Sequence, residues 1–169
     1  MLSQPKIVSK PDQPFAAIRI SVDRDDIPTK APPLIGEVAG WLGAMGTAPV
    51  GAPFFSYLAM PGDGPMVMEV GFPTATKLAG DERVRTGVIP AGRFASLIHT
   101  GPYEGLYEAN IALGQWLAGQ GLSHEMPRGA GEYDKALLEI YYTDPQEEPD
   151  PQKWETEVAF RLGSGLSAG

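Results

Sequence analysis

Residues 41–46, with the sequence WLGAMG, recur in altered form at residues 116–121 as WLAGQG, and this repeat decides the predicted fold. A second repeat follows the first in each half of the chain: residues 69–72 (EVGF) match residues 157–160 (EVAF). The two matches occur in the same order along the chain. Internal similarity of this kind is typical of a duplicated structural unit. The sequence therefore predicts two copies of one module.

Each half has the pattern of a strand, a helix and two further strands. Apolar residues recur at helical spacing in 31–46 and 102–120, with proline near each start and glycine at each end. The turn sequence PGDG at 61–64 is expected to join two strands of the first half. Strands rich in β-branched and aromatic residues are predicted at 15–22, 53–60, 67–72, 94–100, 135–143 and 156–162.

These elements predict an α+β fold of duplicated β-α-β-β modules with antiparallel sheets. We expect one domain over residues 1–162, divided into modules at 5–73 and 88–162 with a polar linker at 74–87. The glycine- and serine-rich tail, 163–169, is expected to be disordered.

Composition and charge exclude several classes of function. The net charge is −8 and the basic residues are scattered singly, which disfavours direct nucleic-acid binding. The chain has no cysteine, so thiol and zinc-thiolate sites are excluded, and His99 and His124 lack the spacing of metal ligands. We expect no metal and no cofactor. The start of the chain lacks the apolar core of a signal peptide, and no apolar run reaches the ~20 residues of a membrane span, so a cytoplasmic protein without membrane contact is expected.

Three segments carry a resemblance to a known family. They are residues 88–106 (VIPAGRFASLIHTGPYEGL), residues 138–141 (LEIY) followed by Asp144-Pro145, and residues 154–158 (WETEV). In this order they resemble the GyrI-like family, which includes the effector-binding domains of some AraC-type and MerR-type regulators. The resemblance spans about residues 5–162 and implies two modules about a pseudo-twofold axis, with a ligand cleft between them. No helix-turn-helix accompanies the domain, so operator binding is not expected.

Three strands offer one glutamate each, flanked by apolar residues: Glu69, Glu139 and Glu157. Alternate residues of a strand face opposite sides of a sheet, and we expect all three carboxylates on the cleft face. A buried carboxylate there would pair with a cationic ligand. The alternative is a solvated sheet face with ordinary glutamates.

Aromatic side chains are expected to complete the site by stacking on flat ligands and favouring positive charge. The predicted ligand contacts, besides the three glutamates, are Phe55, Tyr57, Tyr103, Tyr107, Tyr141 and Trp154.

The predicted function is multispecific binding of lipophilic, aromatic and often cationic small molecules, as in drug or xenobiotic sequestration. Two alternatives stay open. The resemblance implies a hydrolase of cyclopropane-containing DNA-alkylating compounds, with Glu69 or Glu157 as general base and Tyr57 or Tyr141 as hydrogen-bonding acid. It also implies a protein partner, as in modulation of gyrase.

Overall fold

The structure is a computed structural model that describes residues 1–59, 64–129 and 131–162. The first three residues of the turn predicted at 61–64, and the tail predicted to be disordered at 163–169, lie outside the described residues. The strands are β1 (Lys6–Lys10), β2 (Gln13–Val22), β3 (Phe54–Ala59), β4 (Met66–Pro73), β5 (Arg85–Ile89), β6 (Gly92–Thr100), β7 (Leu137–Tyr141) and β8 (Glu155–Arg161). The α-helices are α1 (Ile27–Lys30), α2 (Pro32–Ala44) and α3 (Leu106–Gly119).

Helices α2 and α3 form where the apolar periodicity predicted them. Helix α2 buries Leu34, Val38 and Leu42, which are spaced by four residues and therefore share one face. Gly46 and Gly121 follow the two helices with φ values of 73° and 72°, the left-handed conformation that glycine adopts without steric cost. None of the helices in the described ranges has the length and apolar character needed to cross a membrane.

The strands of the described residues all belong to one eight-stranded antiparallel sheet in the order β1-β6-β8-β7-β3-β4-β2-β5. The order is symmetric about the β7–β3 pair, so that β6, β8 and β7 of the second half correspond to β2, β4 and β3 of the first. The α+β class and the duplicated, pseudo-twofold arrangement are thus confirmed.

Two strands were not predicted, β1 and β5, and each pairs with the opposite half of the chain. Strand β1 precedes β2 but pairs with β6, while β5 precedes β6 but pairs with β2. The last residues of the predicted linker form the start of β5.

These pairings force the sheet to curl. Strands six places apart in a flat sheet would lie about 29 Å from each other, at ~4.8 Å per strand. The link from Lys10 to Gln13 spans at most about 11 Å, yet it connects β1 to β2 across six positions of the strand order. A second short link, from Ile89 to Gly92, joins β5 to β6, and the two links meet where the Ala91 N–H donates to Asp12 Oδ1 at 2.6 Å.

The curl gives the sheet an outer face, covered by the helices, and an inner face that it partly encloses. Helix α2 packs on β4 and β2, and α3 packs on β6 and β8. The main core lies between the helices and the outer face. A second core fills the inner face, with Phe15, Phe54, Phe94 and Leu138 among its buried residues. Both faces of the sheet therefore carry a cluster of buried apolar side chains.

Candidate functional site

The three glutamates do not share a face, so the expectation of a single acidic cleft is wrong. Glu139 pairs with Phe55 and Val158, whose side chains belong to the helix-covered core, and it lies on the outer face. Glu157 lies opposite Ile140, and Glu69 lies opposite Ser56, so both point to the inner face. The reason is the register of neighbouring strands, which places Glu139 and Glu157 out of phase.

A cluster of aromatic and polar side chains lies on the outer face over β3 and β7, between the strands that α2 and α3 cover. Its residues come from five places in the chain: β3, β7, α3, the 3₁₀ turn before α3, and the entrance to β8. We call it the helix-side cleft, and its residues are Phe55, Tyr57, Tyr103, Asn110, Glu139, Tyr141 and Trp154.

The Glu139 carboxylate is the polar centre of this cleft. The hydroxyls of Tyr57 and Tyr141 donate to its Oε1 at 2.8 and 2.7 Å, and the Asn110 side-chain amide donates to Oε2 at 2.9 Å. Only 5% of Glu139 is exposed. A carboxylate has about four lone-pair positions, so these three donors fix its orientation and leave part of Oε2 free.

An unbroken series of aromatic contacts runs from the buried end of the cleft to its rim. The ring centroids of Phe55 and Tyr141 are 4.7 Å apart, those of Tyr141 and Tyr103 are 5.5 Å apart, and those of Tyr103 and Trp154 are 4.7 Å apart. Phe55 is buried, whereas Tyr103, Tyr141 and Trp154 are partly exposed. The exposed end of the series gives a flat molecule aromatic surface on which to pack.

Glu139 forms no ion pair with any residue that the structure describes. This distinguishes it from the two carboxylates of the inner face. Removing a carboxylate from water is unfavourable unless an opposite charge or several donors replace the lost hydration. Here the contacts come from neutral donors, and among the described residues no cationic group lies within ion-pair distance of the carboxylate.

Glu69 is fully buried and already paired. The Arg19 guanidinium donates to Glu69 Oε2 from Nη2 at 3.0 Å and from Nε at 3.2 Å, and the Tyr133 hydroxyl donates to Oε1 at 2.9 Å. Burial, followed by the neighbouring Glu69 charge, raises the pKa of Tyr133 to about 12, so this hydroxyl remains a donor. Glu69 is thus part of an internal ion pair.

Glu157 is held in a similar way on the same face. Lys10 Nζ lies 3.1 Å from Glu157 Oε2, the Ser96 hydroxyl donates to that oxygen at 2.7 Å, and the Tyr142 hydroxyl donates to Oε1. Burial and then the Glu157 interactions raise the pKa of Tyr142. Both inner carboxylates therefore have a positive partner before any ligand arrives.

The tyrosines of the helix-side cleft are held in their neutral form. Burial, with the Glu139 charge as the second cause, raises the pKa of Tyr57 and of Tyr141 well above that of a free tyrosine. Both hydroxyls consequently donate to Glu139 throughout the physiological pH range. Burial also raises the pKa of Tyr103.

Tyr107 differs from the other predicted aromatic contacts. Its ring is 59% exposed, and the Arg24 guanidinium lies 5.1 Å from the ring centroid. Arg24 belongs to the first half and Tyr107 to α3 of the second, so this contact bridges the two halves. One face of the Tyr107 ring is thereby occupied by a cation of the chain itself.

The pseudo-twofold axis explains the position of the two tyrosines. Tyr57 lies opposite Met68 and Tyr141 opposite Thr156, the residues that precede Glu69 and Glu157. Tyr57 and Tyr141 are therefore equivalent, and by the same register Phe55 is the equivalent of Glu139. One cleft thus receives two tyrosines but only one carboxylate.

Asn110 and Arg24 were not predicted as site residues. The sequence does contain a signal for Asn110 as a site residue. It is a polar residue four positions after Leu106, at the edge of the apolar stripe of the helix. It also donates to the Leu106 carbonyl at 2.8 Å, which fixes the amide toward Glu139.

Comparisons with known proteins agree with this architecture. The sequence model of a family described as the GyrI-like small molecule binding domain matches residues 3–162. No curated protein sequence matches the chain.

Several solved structures have a similar fold. The C-terminal domain of EcmrR superposes with a TM-score of 0.73 at 21% identity, covering 94% of this chain and 96% of that domain. EcmrR in a complex with DNA gives a TM-score of 0.72 at 21% identity and covers 95% of this chain, which spans 57% of that EcmrR chain. A hydrolase from Listeria innocua gives 0.62 at 13% identity, covering 95% and 92% of the two chains. SAV2435 bound to tetraphenylphosphonium gives 0.63 at 7% identity, covering 96% and 95%.

Proposed function

Because the chain belongs to the GyrI-like small-molecule-binding domain family, we propose that it binds lipophilic aromatic molecules, preferably cationic ones, in the helix-side cleft. The observation that carries this proposal is Glu139, a buried carboxylate that has three neutral donors and, among the described residues, no ion-pair partner. A cationic ligand would supply the missing positive charge. Glu69 and Glu157 take no part in this site, since each is neutralised on the inner face.

The charge of Glu139 favours a delocalised cation. Tyr57, Tyr141 and Asn110 already occupy most of the hydrogen-bonding capacity of the carboxylate. The remaining attraction is largely Coulombic, about 4 kcal/mol for unit charges 4 Å apart at an effective dielectric constant near 20. It does not require an N–H donor, so phosphonium and quaternary ammonium ions are suitable. SAV2435, which shares the fold, is bound to tetraphenylphosphonium.

The aromatic rim favours the binding of many different ligands over the selection of one. Stacking on Tyr103, Tyr141 and Trp154 rewards any flat apolar surface and discriminates weakly among rings. We therefore expect several unrelated ligands to bind with micromolar dissociation constants, corresponding to about 8 kcal/mol.

The first test is a panel of matched ligands. Tetraphenylphosphonium, rhodamine 6G and ethidium are titrated beside the neutral triphenylphosphine oxide, using calorimetry or fluorescence polarisation. We expect all four to bind and the cations to bind more tightly. Selection of a single ligand, with no binding of the dyes, would overturn the multispecific proposal.

Hydrolysis is a second candidate, favoured by the contact of Glu139 with two tyrosine hydroxyls in one cleft. Glu69 and Glu157, the predicted general bases, lie on the opposite face of the sheet from Tyr57 and Tyr141, the predicted acids. In this alternative Glu139 is the general base for water through Oε2, and Tyr57 or Tyr141 turns its single O–H from Oε1 to donate to the departing group.

Product analysis separates hydrolysis from binding. An electrophilic cyclopropane compound is incubated with the protein and with a Glu139→Gln variant, and mass spectrometry follows the gain of one water. Turnover by the wild type and its loss in the variant would support the enzyme, while unchanged substrate in the presence of bound complex supports binding alone. A gyrase-directed protein partner stays a prediction and is tested by pull-down of the gyrase subunits.

A further inference from the structure

The inner face of the curled sheet contains a pocket of about 230 Å³, which we call the inner pocket. Its apolar wall is formed by Phe54, Ile89, Phe94, Leu138 and Ile140, which belong to the second core. The sheet itself separates this inner pocket from the helix-side cleft. A ligand bound in the inner pocket therefore cannot contact Glu139.

The shape of the pocket follows from the curl. The two short links bring the opposite edges of the sheet toward each other, and Lys10 and Ile89, at the ends of β1 and β5, line the pocket. A cavity of 150 Å³ is sufficient to bind benzene in an engineered protein. The inner pocket therefore has the volume for a molecule of one or two fused rings.

The entrance is apolar and accessible. Val50 is 56% exposed and Tyr142 is 51% exposed, and both line the pocket. Exposed apolar side chains beside a cavity lined by core residues are typical of the entrance to a ligand site.

Lys10 is the charged residue among those that line the pocket, and Gln13 and Tyr142 contribute the other polar side chains. Lys10 lines the pocket, and its Nζ lies 6.0 Å from the centroid of the Phe94 ring. Lys10 donates to Glu157, but an ammonium has three N–H donors and its side chain is 28% exposed, against 6% for Glu157. Glu157 is covered by donors from Ser96, Tyr142 and Lys10. Lys10 is therefore the more accessible member of its ion pair with Glu157, and it can offer an N–H donor to a ligand.

We propose that the inner pocket is a second small-molecule site, selective for aromatic carboxylates of one or two rings. The rings pack against Phe54, Phe94 and Ile140, and the carboxylate accepts a hydrogen bond from Lys10. This site prefers anions, whereas the helix-side cleft prefers cations. The proposal does not depend on the function of the helix-side cleft.

The test uses three probes with the same ring system: 2-naphthoate, neutral 2-naphthalenemethanol and cationic 2-naphthylmethylammonium. Each is titrated into methyl-labelled protein and followed by NMR. We expect 2-naphthoate to bind most tightly and to shift the methyl signals of Ile89, Leu138 and Ile140. Equal or weaker binding of the carboxylate relative to the alcohol would overturn the anion preference, and shifts confined to Leu106 and Leu113 would overturn the location.

Two variants test the residues. Lys10→Met keeps the apolar stem and is expected to weaken 2-naphthoate binding at least fivefold while leaving the alcohol nearly unchanged. Val50→Trp fills the entrance and is expected to weaken both probes. Lys6→Met, which removes an exposed lysine from the same strand, is the matched control. If Lys10→Met fails to fold because Glu157 loses its partner, the double variant Lys10→Met/Glu157→Gln removes both charges, and retention of carboxylate preference there would overturn the proposal.

Discussion

Replacing Glu139 by Gln is expected to weaken binding of tetraphenylphosphonium by roughly 1–3 kcal/mol, which is about 5- to 150-fold. The substitution removes the negative charge of the helix-side cleft and keeps its shape. Glutamine keeps Oε1 as the acceptor for Tyr57 and Tyr141 and loses the hydrogen bond from Asn110, because its Nε2 is a donor, so most of the contacts around residue 139 are kept. Triphenylphosphine oxide, which has no charge, should lose much less affinity. Calorimetry with both ligands measures the difference directly.

Glu104→Gln provides the control for that experiment. Glu104 is exposed and follows Tyr103 in the chain, so the change removes one negative charge near the cleft without touching its buried carboxylate. Solvent and salt screen such a charge, and cation binding should remain close to that of the wild type. Equal affinities of wild type and Glu139→Gln for the phosphonium would leave the charge of Glu139 without a role in binding.

Replacing Glu69 by Gln is expected to destabilise the fold by about 3–5 kcal/mol, the usual cost of breaking a buried ion pair. Glu69 is fully buried and Arg19 is 23% exposed, so the variant leaves a guanidinium without its counter-charge on the inner face. Urea unfolding of the variant and wild type measures this loss. Binding of tetraphenylphosphonium to the folded variant should be unchanged, because Glu69 lies on the other side of the sheet.

The matched control is Glu37→Gln, at an ion pair with Arg83 in which both side chains are largely exposed. Such pairs contribute little to stability in solution. A Glu69→Gln variant as stable as Glu37→Gln would show that the Arg19–Glu69 pair does not hold the inner face together.

Local patterns were sufficient to predict the helices, the central strands and the duplication. The repeated glutamates, Glu69 and Glu157, do occupy equivalent positions of β4 and β8. The alternation within each strand was also predicted correctly: Glu139 and Tyr141 share a face. The helices, the strands and the alternation depend on residues within a few positions of one another, and the duplication is visible directly as repeated sequence.

The relation between strands was not predictable in the same way. In β7, residues Leu137 and Leu138 are both buried, one on each face, so apolar content does not tell which face the helices cover. Cross-strand register decides it, because Glu139 lies opposite Val158 while Glu157 lies opposite Ile140. Strands β1 and β5 escaped prediction for a related reason: they are short, mixed in polarity and defined by partners far away in the chain.

The exchange of β1 and β5 between the halves has a consequence for how the protein folds. Strand β1 pairs with β6, which lies more than eighty residues later in the sequence. Strand β5 pairs with β2, which lies a similar distance earlier in the sequence. Contacts of such high sequence separation slow folding, because a large loop must close before they form. In each half, the edge formed by β2 or β6 stays unpaired until the other half supplies β5 or β1. The two halves therefore fold and unfold together. A proteolytic cut in the segment between them would leave two interlocked fragments and not two independent domains.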